Sequence, residues 1–517
     1  MTADQGQVAT PAPEGDPPGS SEEPSTGLGR AAAHGAAWLT AQKWIVRLSG
    51  LATIAVLARM VTPEEFGVVA VAAAVIPFVL LLSDLGLSTY LVQADDPDER
   101  MLSTGFWFSL VAAFAIGGVL FACVPLVVDV LDAPTAGPVL RVLLASVPLV
   151  VVAAVPTALL RRRMAFRRLA IQGTAAAALA QVVAVVIALA GGGVWALVAQ
   201  AITTTLVTTT AAWIAAGWRP TLSFSRSEFG TMARFGYKVV GVELVAVLRN
   251  WAETAIIAVS LGTAALGYLT IAQRLVQVAQ ELGGSAVAPV SVVVLARVRD
   301  MPDRLRAAYR RASSLTYGAV TPVLVFVAVA APVVIPLLFG NQWEQSVPVT
   351  RGLAVAGILT IGALLDHGLF YALGRAGKWF VYATITDVIT VAATALVVSQ
   401  GLTAVAWAFV GVAVAATAAR WVLVSKEIGT TVGELARSFG SVAVCALVSG
   451  GAGLLVLALV PGPLVLRAAL IGVTVLATHL LLLRLVLRDT YADALALAPL
   501  PASVRGRLQR FSRIATS

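Results

Sequence analysis

Four basic side chains, Lys43, Arg47, Arg249 and Arg274, stand inside stretches that are otherwise almost entirely apolar. An ionised group near the centre of a bilayer costs about 2.5–3.5 kcal/mol on insertion scales, so such charges face other protein groups or a wet cavity. Their spacing limits what each can meet. Lys43 and Arg47 are four residues apart, as are Arg249 and Glu253, and Arg274, Gln277 and Glu281 share one helix face. The intramembrane acids Glu253, Glu281, Asp366 and Asp387, with Asp84 and Glu243, either carry a coupling ion or partner a buried arginine. Asp84 falls near a helix end, which favours a loop role. Asp366 and His367 are acid–His neighbours, yet adjacent residues point to different helix faces, which argues against a relay. Polar surface comes from Gln42, Asn250, Gln273, Gln277 and Gln280, with Trp44 and Trp251 as stacking surfaces or interface anchors. His34, His367 and His479 lack ligand spacing, and Cys123 and Cys445 lie in apolar runs, so neither a metal site nor a disulfide framework is expected. No Walker loop occurs, and no cofactor is expected.

The elements that position these groups must be membrane helices. Of 517 residues, 59% are apolar and 12% charged, where soluble chains carry about 25% charged residues. The apolar runs are long enough for helical spans and lack the ten-residue alternation of a β-barrel, so the fold is all-α and polytopic. Fourteen spans are expected, near 35–60, 67–92, 104–131, 138–160, 170–190, 194–216, 235–260, 264–292, 312–339, 351–373, 379–399, 402–424, 439–460 and 464–487. Alternate loops carry 21 Lys and Arg on one side and four on the other, which puts both termini in the cytoplasm. Pro77, Pro148, Pro156, Pro289, Pro322 and Pro332 are expected to interrupt helices. The net charge of +9 fits loops facing anionic lipid rather than a nucleic-acid partner. Residues 1–34 read as a disordered tail. In the basic tail 488–517, Val504, Leu508, Phe511 and Ile514 recur at helical spacing, suggesting an amphipathic helix on the inner leaflet or a solvated tail.

An internal repeat is also legible. VTPEEFGVVAVA at 61–72 and LGTAALGYLTIA at 261–272 both place a Thr and a short turn before a bulky apolar residue and a Gly. Aligning Gly67 with Gly267 lays helices 1–6 over 7–12 as a parallel repeat about an axis along the membrane normal. The expected organisation is an N-lobe at 35–216, a linker at 217–234, a C-lobe at 235–424, and an appended helix pair at 425–487.

Four stretches, LARMVTPEEFGVVA at 57–70, DLGLSTYLVQ at 84–93, LGYLTIAQRL at 266–275 and LLFGNQWEQSVPVTRGLA at 337–354, resemble those of Wzx-type lipopolysaccharide and exopolysaccharide flippases. These belong to the multidrug/oligosaccharidyl-lipid/polysaccharide superfamily, and with the fourteen-helix plan the resemblance covers residues 35 to about 487. It implies two six-helix lobes around a cavity lined by helices 1, 2, 7 and 8. The implied activity is transport of polyprenyl-pyrophosphate-linked oligosaccharide across the bacterial cytoplasmic membrane, with polymerase and glycosyltransferases as partners and without bond-making. Since guanidinium forks match phosphate oxygens, Arg47, Arg249 and Arg274 are then expected to bind pyrophosphate. Lys43 would attract it at the inner mouth, and Gln42, Asn250 and Gln277 would meet sugar. Structural pairing of Arg249 with Glu253 and of Arg274 with Glu281 is the alternative. Rival activities are a multidrug extruder, which would favour an acidic cavity, and a membrane-embedded polymerase, which would need a sizeable outer loop.

Overall fold

The computed structural model describes residues 47–94, 97–284, 295–488 and 491, all within one compact unit spanning Trp44–Ser517. Gln42, Lys43, Trp44, Pro289, the expected tail 1–34 and, apart from residues 488 and 491, the expected tail 488–517 lie outside the described residues. Among the described residues there is no strand. The helices are α1 (47–60), α2 (Pro63–Asp84), α3 (Leu87–Gln93), α4 (Glu99–Ala122), α5 (Val124–Val130), α6 (Ala136–Val152), α7 (Ala154–Arg162), α8 (Phe166–Leu189) and α9 (Val194–Ala216). They continue as α10 (Arg226–Leu261), α11 (Thr263–Gly284), α12 (Pro302–Phe339), α13 (Ser346–Thr360), α14 (Ala363–Ala372), α15 (Ala376–Val397), α16 (Leu402–Ile428), α17 (Val432–Leu459) and α18 (Leu464–Val486).

Twelve of the described helices are long and apolar enough to cross a membrane, with α6–α7 and α13–α14 each counting as one. Two of the fourteen expected spans fall outside that dozen. One is α1, described from residue 47 onward, and the other is α11, whose apolar run is broken by Gln273, Arg274, Gln277, Gln280 and Glu281. Helices α10 and α12 begin well before the expected spans, because their arginine-rich first turns continue the helix beyond its apolar stretch.

Local chemistry sets the ends that matter. Thr62 accepts from Glu65 N while the Glu65 carboxylate accepts from Thr62 N, a capping box with Pro63 in the first turn of α2. Glu65 Oε1 also accepts from Val194 N at 3.0 Å, tying the start of α9 to the start of α2. At the head of α10, Ser225 accepts from Glu228 N, and its own N–H donates to Thr104 Oγ1 at 3.0 Å.

Helices α2 and α11 pack along Val68, Val71, Ala72, Leu266, Leu269 and Ala272. At one end of this seam, a Cβ on Gly67 would collide with the backbone of Thr263, and a Cβ on Gly267 would collide with that of Pro63. The two glycines aligned by the sequence repeat thus make reciprocal contacts, each letting the other helix's first turn approach. A two-fold relation between the halves produces this pattern.

Of the described prolines expected to interrupt helices, only Pro156 adjoins a break. Pro77 lies inside α2, Pro148 inside α6, and Pro322 and Pro332 inside α12. The breaks come instead at Ala153, between α6 and α7, and at Ile361–Gly362, between α13 and α14. Those helices are the fourth and tenth spans, corresponding positions in the two halves. Pro156 explains part of the first break: it has no N–H for Val152 O, and the Trp213 indole donates there instead at 3.1 Å. Leu149 O, freed because Ala153 N bonds Val150 O, accepts from Thr209 Oγ1 at 2.8 Å. Each orphaned carbonyl therefore has a donor, the condition for irregular backbone at membrane depth.

Candidate functional site

The predicted charges fall into three groups. On α1 and α11, Arg47 Nε forms an ion pair with Glu281 Oε2 at 2.6 Å. Glu281 Oε1 accepts from Gln277 Nε2 at 3.0 Å, and Arg274 Nη1 reaches Gln277 Oε1 at a long 3.4 Å. The expected partner of Arg274 is thus taken by Arg47, because Glu281 lies nearer the arginine-rich face, where Arg47 approaches from α1. Arg274 Nη2 lies against Gly50 of α1, as does Gln181 of α8. Its Nε is buried and has no hydrogen-bond partner among the described residues. Arg47 and Arg274 stand with the single carboxylate of Glu281, a formal charge of +1, and only Arg47 is paired with it. Arg47, Gln273 and Gln277 stay exposed in the packed fold, and polar side chains so placed on membrane helices line water rather than lipid.

The second group joins α10 to α15. Arg249 Nη1 meets both Glu253 oxygens at 2.9 and 3.0 Å, and its Nε stands 3.1 Å from Asp387 Oδ1. Here two carboxylates hold one guanidinium, for a charge of −1. Glu253 is buried, whereas Asn250 and Trp251 one turn away are exposed. Similar depth in the repeat therefore does not give Arg47 and Arg249 similar surroundings.

In the third group Asp366 was foreseen, as an ion carrier or the partner of a buried arginine, but its arginine was not. Arg420, expected in a basic loop, is 1% exposed inside α16, and Asp366 on α14 is likewise 1% exposed. Arg420 Nε lies 2.9 Å from Asp366 Oδ2, and Tyr309 donates to Asp366 Oδ1 at 2.5 Å. Arg420 Nη2 donates to Tyr317 Oη at 2.9 Å and to Leu359 O at 3.2 Å, while Nη1 reaches Thr360 O at 3.4 Å. Leu359 O also accepts from Thr417 Oγ1 at 3.1 Å. The guanidinium therefore satisfies the carbonyls released by the Ile361–Gly362 break. The sequence signal was an arginine followed by WVLV within an apolar run, with its helix continuing to the left-handed cap at Gly429. His367 takes no part, and its ring instead packs on Tyr371 and Trp379. Of the six acids named from sequence, Glu253, Glu281, Asp366 and Asp387 thus have arginine partners, while Asp84 accepts from Ser88 at its helix end.

On the arginine-poor face the halves are sealed together. Arg59 donates to Leu337 O at 2.5 Å and Leu338 O at 3.2 Å, while Gln342 and Trp343 donate to Ala58 O at 2.5 and 2.7 Å. Fully buried Trp343 sits edge-on to Phe66 and Tyr268, directly beside the Gly67 and Gly267 crossing. The GNQW motif thus packs against the α2–α11 crossing and bonds to the end of α1, contacts its residue types alone did not disclose. No group of three or more His, Cys, Asp or Glu able to hold a metal occurs among the described residues.

Residues 56–348 match the model of a family described as polysaccharide biosynthesis protein. The chain is 29% identical over 374 residues to the succinoglycan biosynthesis transport protein ExoT of Rhizobium meliloti, covering 72% of this chain and 76% of that protein. To the lipopolysaccharide biosynthesis protein WzxC of Escherichia coli it is 25% identical over 342 residues, covering 64% and 69%. In fold it is similar to the lipid II flippase MurJ in an inward closed conformation, with TM-score 0.72, 13% identity and coverage of 87% of this chain and 99% of that one. An inward-facing multidrug resistance MATE family transporter follows at TM-score 0.61, 18% identity and 75% and 98% coverage.

Proposed function

Because this chain belongs to the polysaccharide biosynthesis protein family, we propose that it is a flippase moving polyprenyl-pyrophosphate-linked oligosaccharide from the inner to the outer leaflet of the bacterial cytoplasmic membrane. Both termini are assigned to the cytoplasm on the bias of basic loop residues, which stands at 20 to 4 once buried Arg420 is set aside. The observation that carries the mechanism is the incompletely satisfied guanidinium of Arg274, on a wet helix face whose charge is +1. An anionic headgroup entering there supplies the missing acceptors and draws Arg47 and Arg274 together, while Lys43 at the inner mouth attracts it. Gln277, Gln42 and Asn250 are assigned to the sugar. Arg249 has two carboxylates already, so Glu253 and Asp387 are assigned to charge pairing and ion coupling.

Transport follows by alternating access. The gate at Gly67, Gly267 and Trp343 closes the outer side, and parting α2 from α11 there exposes the cavity outward. No covalent bond changes in this cycle. A polymerase and glycosyltransferases, which consume and supply the lipid-linked units, are the expected partners. The second reading, extrusion of organic cations, has the Glu253–Arg249–Asp387 group in its favour.

Translocation of a fluorescent polyprenyl-pyrophosphate oligosaccharide in proteoliposomes tests the proposal. Protein-dependent movement between leaflets supports it. Expulsion of cationic dyes with no lipid movement returns the chain to the extruder class.

A further inference from the structure

Helices α15 and α16 leave a groove of 750 Å³ between them, lined along α15 by Lys378, Val381, Ile385 and Ile389 and floored by Ala416 and Ala419 of α16. Asp387, which points to Arg249 on α10, is two residues from both Ile385 and Ile389, about 200° around the helix. The groove therefore lies on the side of α15 turned away from the transport cavity, toward lipid. Val381 and Ile385 are more than half exposed there.

Beyond Lys378 at its end, the hydroxyls of the groove ask for nothing from an occupant. Tyr382 donates to Ala416 O at 3.1 Å, bridging the two helices, and Thr386 donates to Tyr382 O at 2.9 Å. What remains is an apolar slot whose floor is cut low by alanines. From Lys378 to Ile389 it runs eleven residues, about 16 Å at the helical rise, or roughly half of a 30 Å hydrocarbon core. A slot of that length holds a chain from one leaflet, whereas a polyprenyl chain long enough to cross the bilayer would overrun it.

The cytoplasmic end has a charge to match. Arg375 and Lys378 share a single carboxylate, Glu427, whose side chain is 2% exposed, while about half of each basic side chain remains exposed. The Lys378 contact is 2.6 Å, and its other ammonium hydrogens are free to meet a further acceptor. Trp379 packs with Phe370 and Tyr382 beside this pair, an aromatic cluster of the kind that sits at headgroup depth.

We propose that this groove is a binding site for an anionic phospholipid of the inner leaflet, with one acyl chain between α15 and α16 and the phosphate against Lys378 and Arg375. The claim does not depend on what the protein transports, since the groove lies on the opposite side of α15 from Asp387.

Native mass spectrometry of the full chain, exchanged into an equimolar mixture of phosphatidylglycerol and phosphatidylcholine, counts the lipids retained. Wild type is expected to retain phosphatidylglycerol in preference. Lys378→Gln, which leaves Arg375 on Glu427, should cut that preference about fivefold, as expected for one interfacial cation. Ala419→Phe, which fills the floor without touching a charge, should remove the tightly held lipid while the other lipids stay. Equal retention of both headgroups by wild type, or an unchanged lipid count in Ala419→Phe, overturns the proposal. So does displacement of phosphatidylglycerol from the wild type, but not from Ala419→Phe, by polyprenyl phosphate.

Discussion

Replacing Gly67 with alanine should open the gate on the arginine-poor face. The new Cβ would overlap the carbonyl oxygen of Thr263 and stand 2.5 Å from its carbonyl carbon, where nonbonded carbons rest about 3.5–4.0 Å apart. The first turn of α11 must therefore retreat by more than about 1 Å along a seam packed by Val68, Val71 and Leu266. Overpacking of this kind costs about 1–3 kcal/mol. The cost falls on the closed state alone, because in an open state α2 and α11 are apart. The helix-propensity gain of alanine over glycine, about 0.5–1 kcal/mol, is the same in both states and cancels. The closed-to-open ratio should thus fall about 5- to 150-fold. Spin labels at the exposed residues Asp132, in a turn, and Gln400, at the end of a short 3-10 helix, both at this face, report it by electron–electron distance measurement once Cys123 and Cys445 are replaced. Gly67→Ala and Gly267→Ala should each shift the distribution to longer distances, with little change in melting temperature. Unchanged distributions in both variants would refute the reasoning that these glycines hold the gate.

Arg420→Leu strands Asp366 in the interior and should cost about 3–5 kcal/mol, read as a lower melting temperature in detergent; adding Asp366→Leu should recover much of it. Trp213→Phe leaves Val152 O without a donor and should cost about 1–3 kcal/mol. Because Pro156 created that need, Trp213→Phe should be milder in a Pro156→Ala background, a coupling that a double-mutant thermal-melt cycle measures directly. Arg59→Leu, which removes two donors to the carbonyls of Leu337 and Leu338, should increase labelling of a cysteine placed at Gln342 by an impermeant maleimide.

The sequence carried the fold at the level of spans, since apolar runs and alternating basic loops depend on composition alone. It also carried the Gly67–Gly267 correspondence, although as a repeat signature rather than as the helix crossing it proves to be. The Arg249–Glu253 pair was legible in its i, i+4 spacing, but the partner of Glu281 was not. Arg274 and Glu281 share a face of one helix, but Arg47 from another helix takes the carboxylate, and only packing decides that competition. Arg420 was misplaced because loop-counting treats a cation near the end of an apolar run as solvent-facing. Its partner Asp366 is 54 residues away on a helix whose break has no proline to announce it. The break at Ala153 was half visible, through Pro156, while its satisfaction by Trp213 and Thr209 required the neighbouring helix.

The most direct test of the account is the affinity of the purified protein for a short-chain polyprenyl pyrophosphate, compared among wild type, Arg274→Gln and Arg249→Gln. Loss of charged hydrogen bonds worth about 1.5–3 kcal/mol predicts at least tenfold weaker binding for Arg274→Gln. Arg249→Gln, whose guanidinium is already held by Glu253 and Asp387, should bind close to wild type. Weakened binding in Arg249→Gln with full affinity in Arg274→Gln would contradict the assignment of the anion to the α1–α11 group.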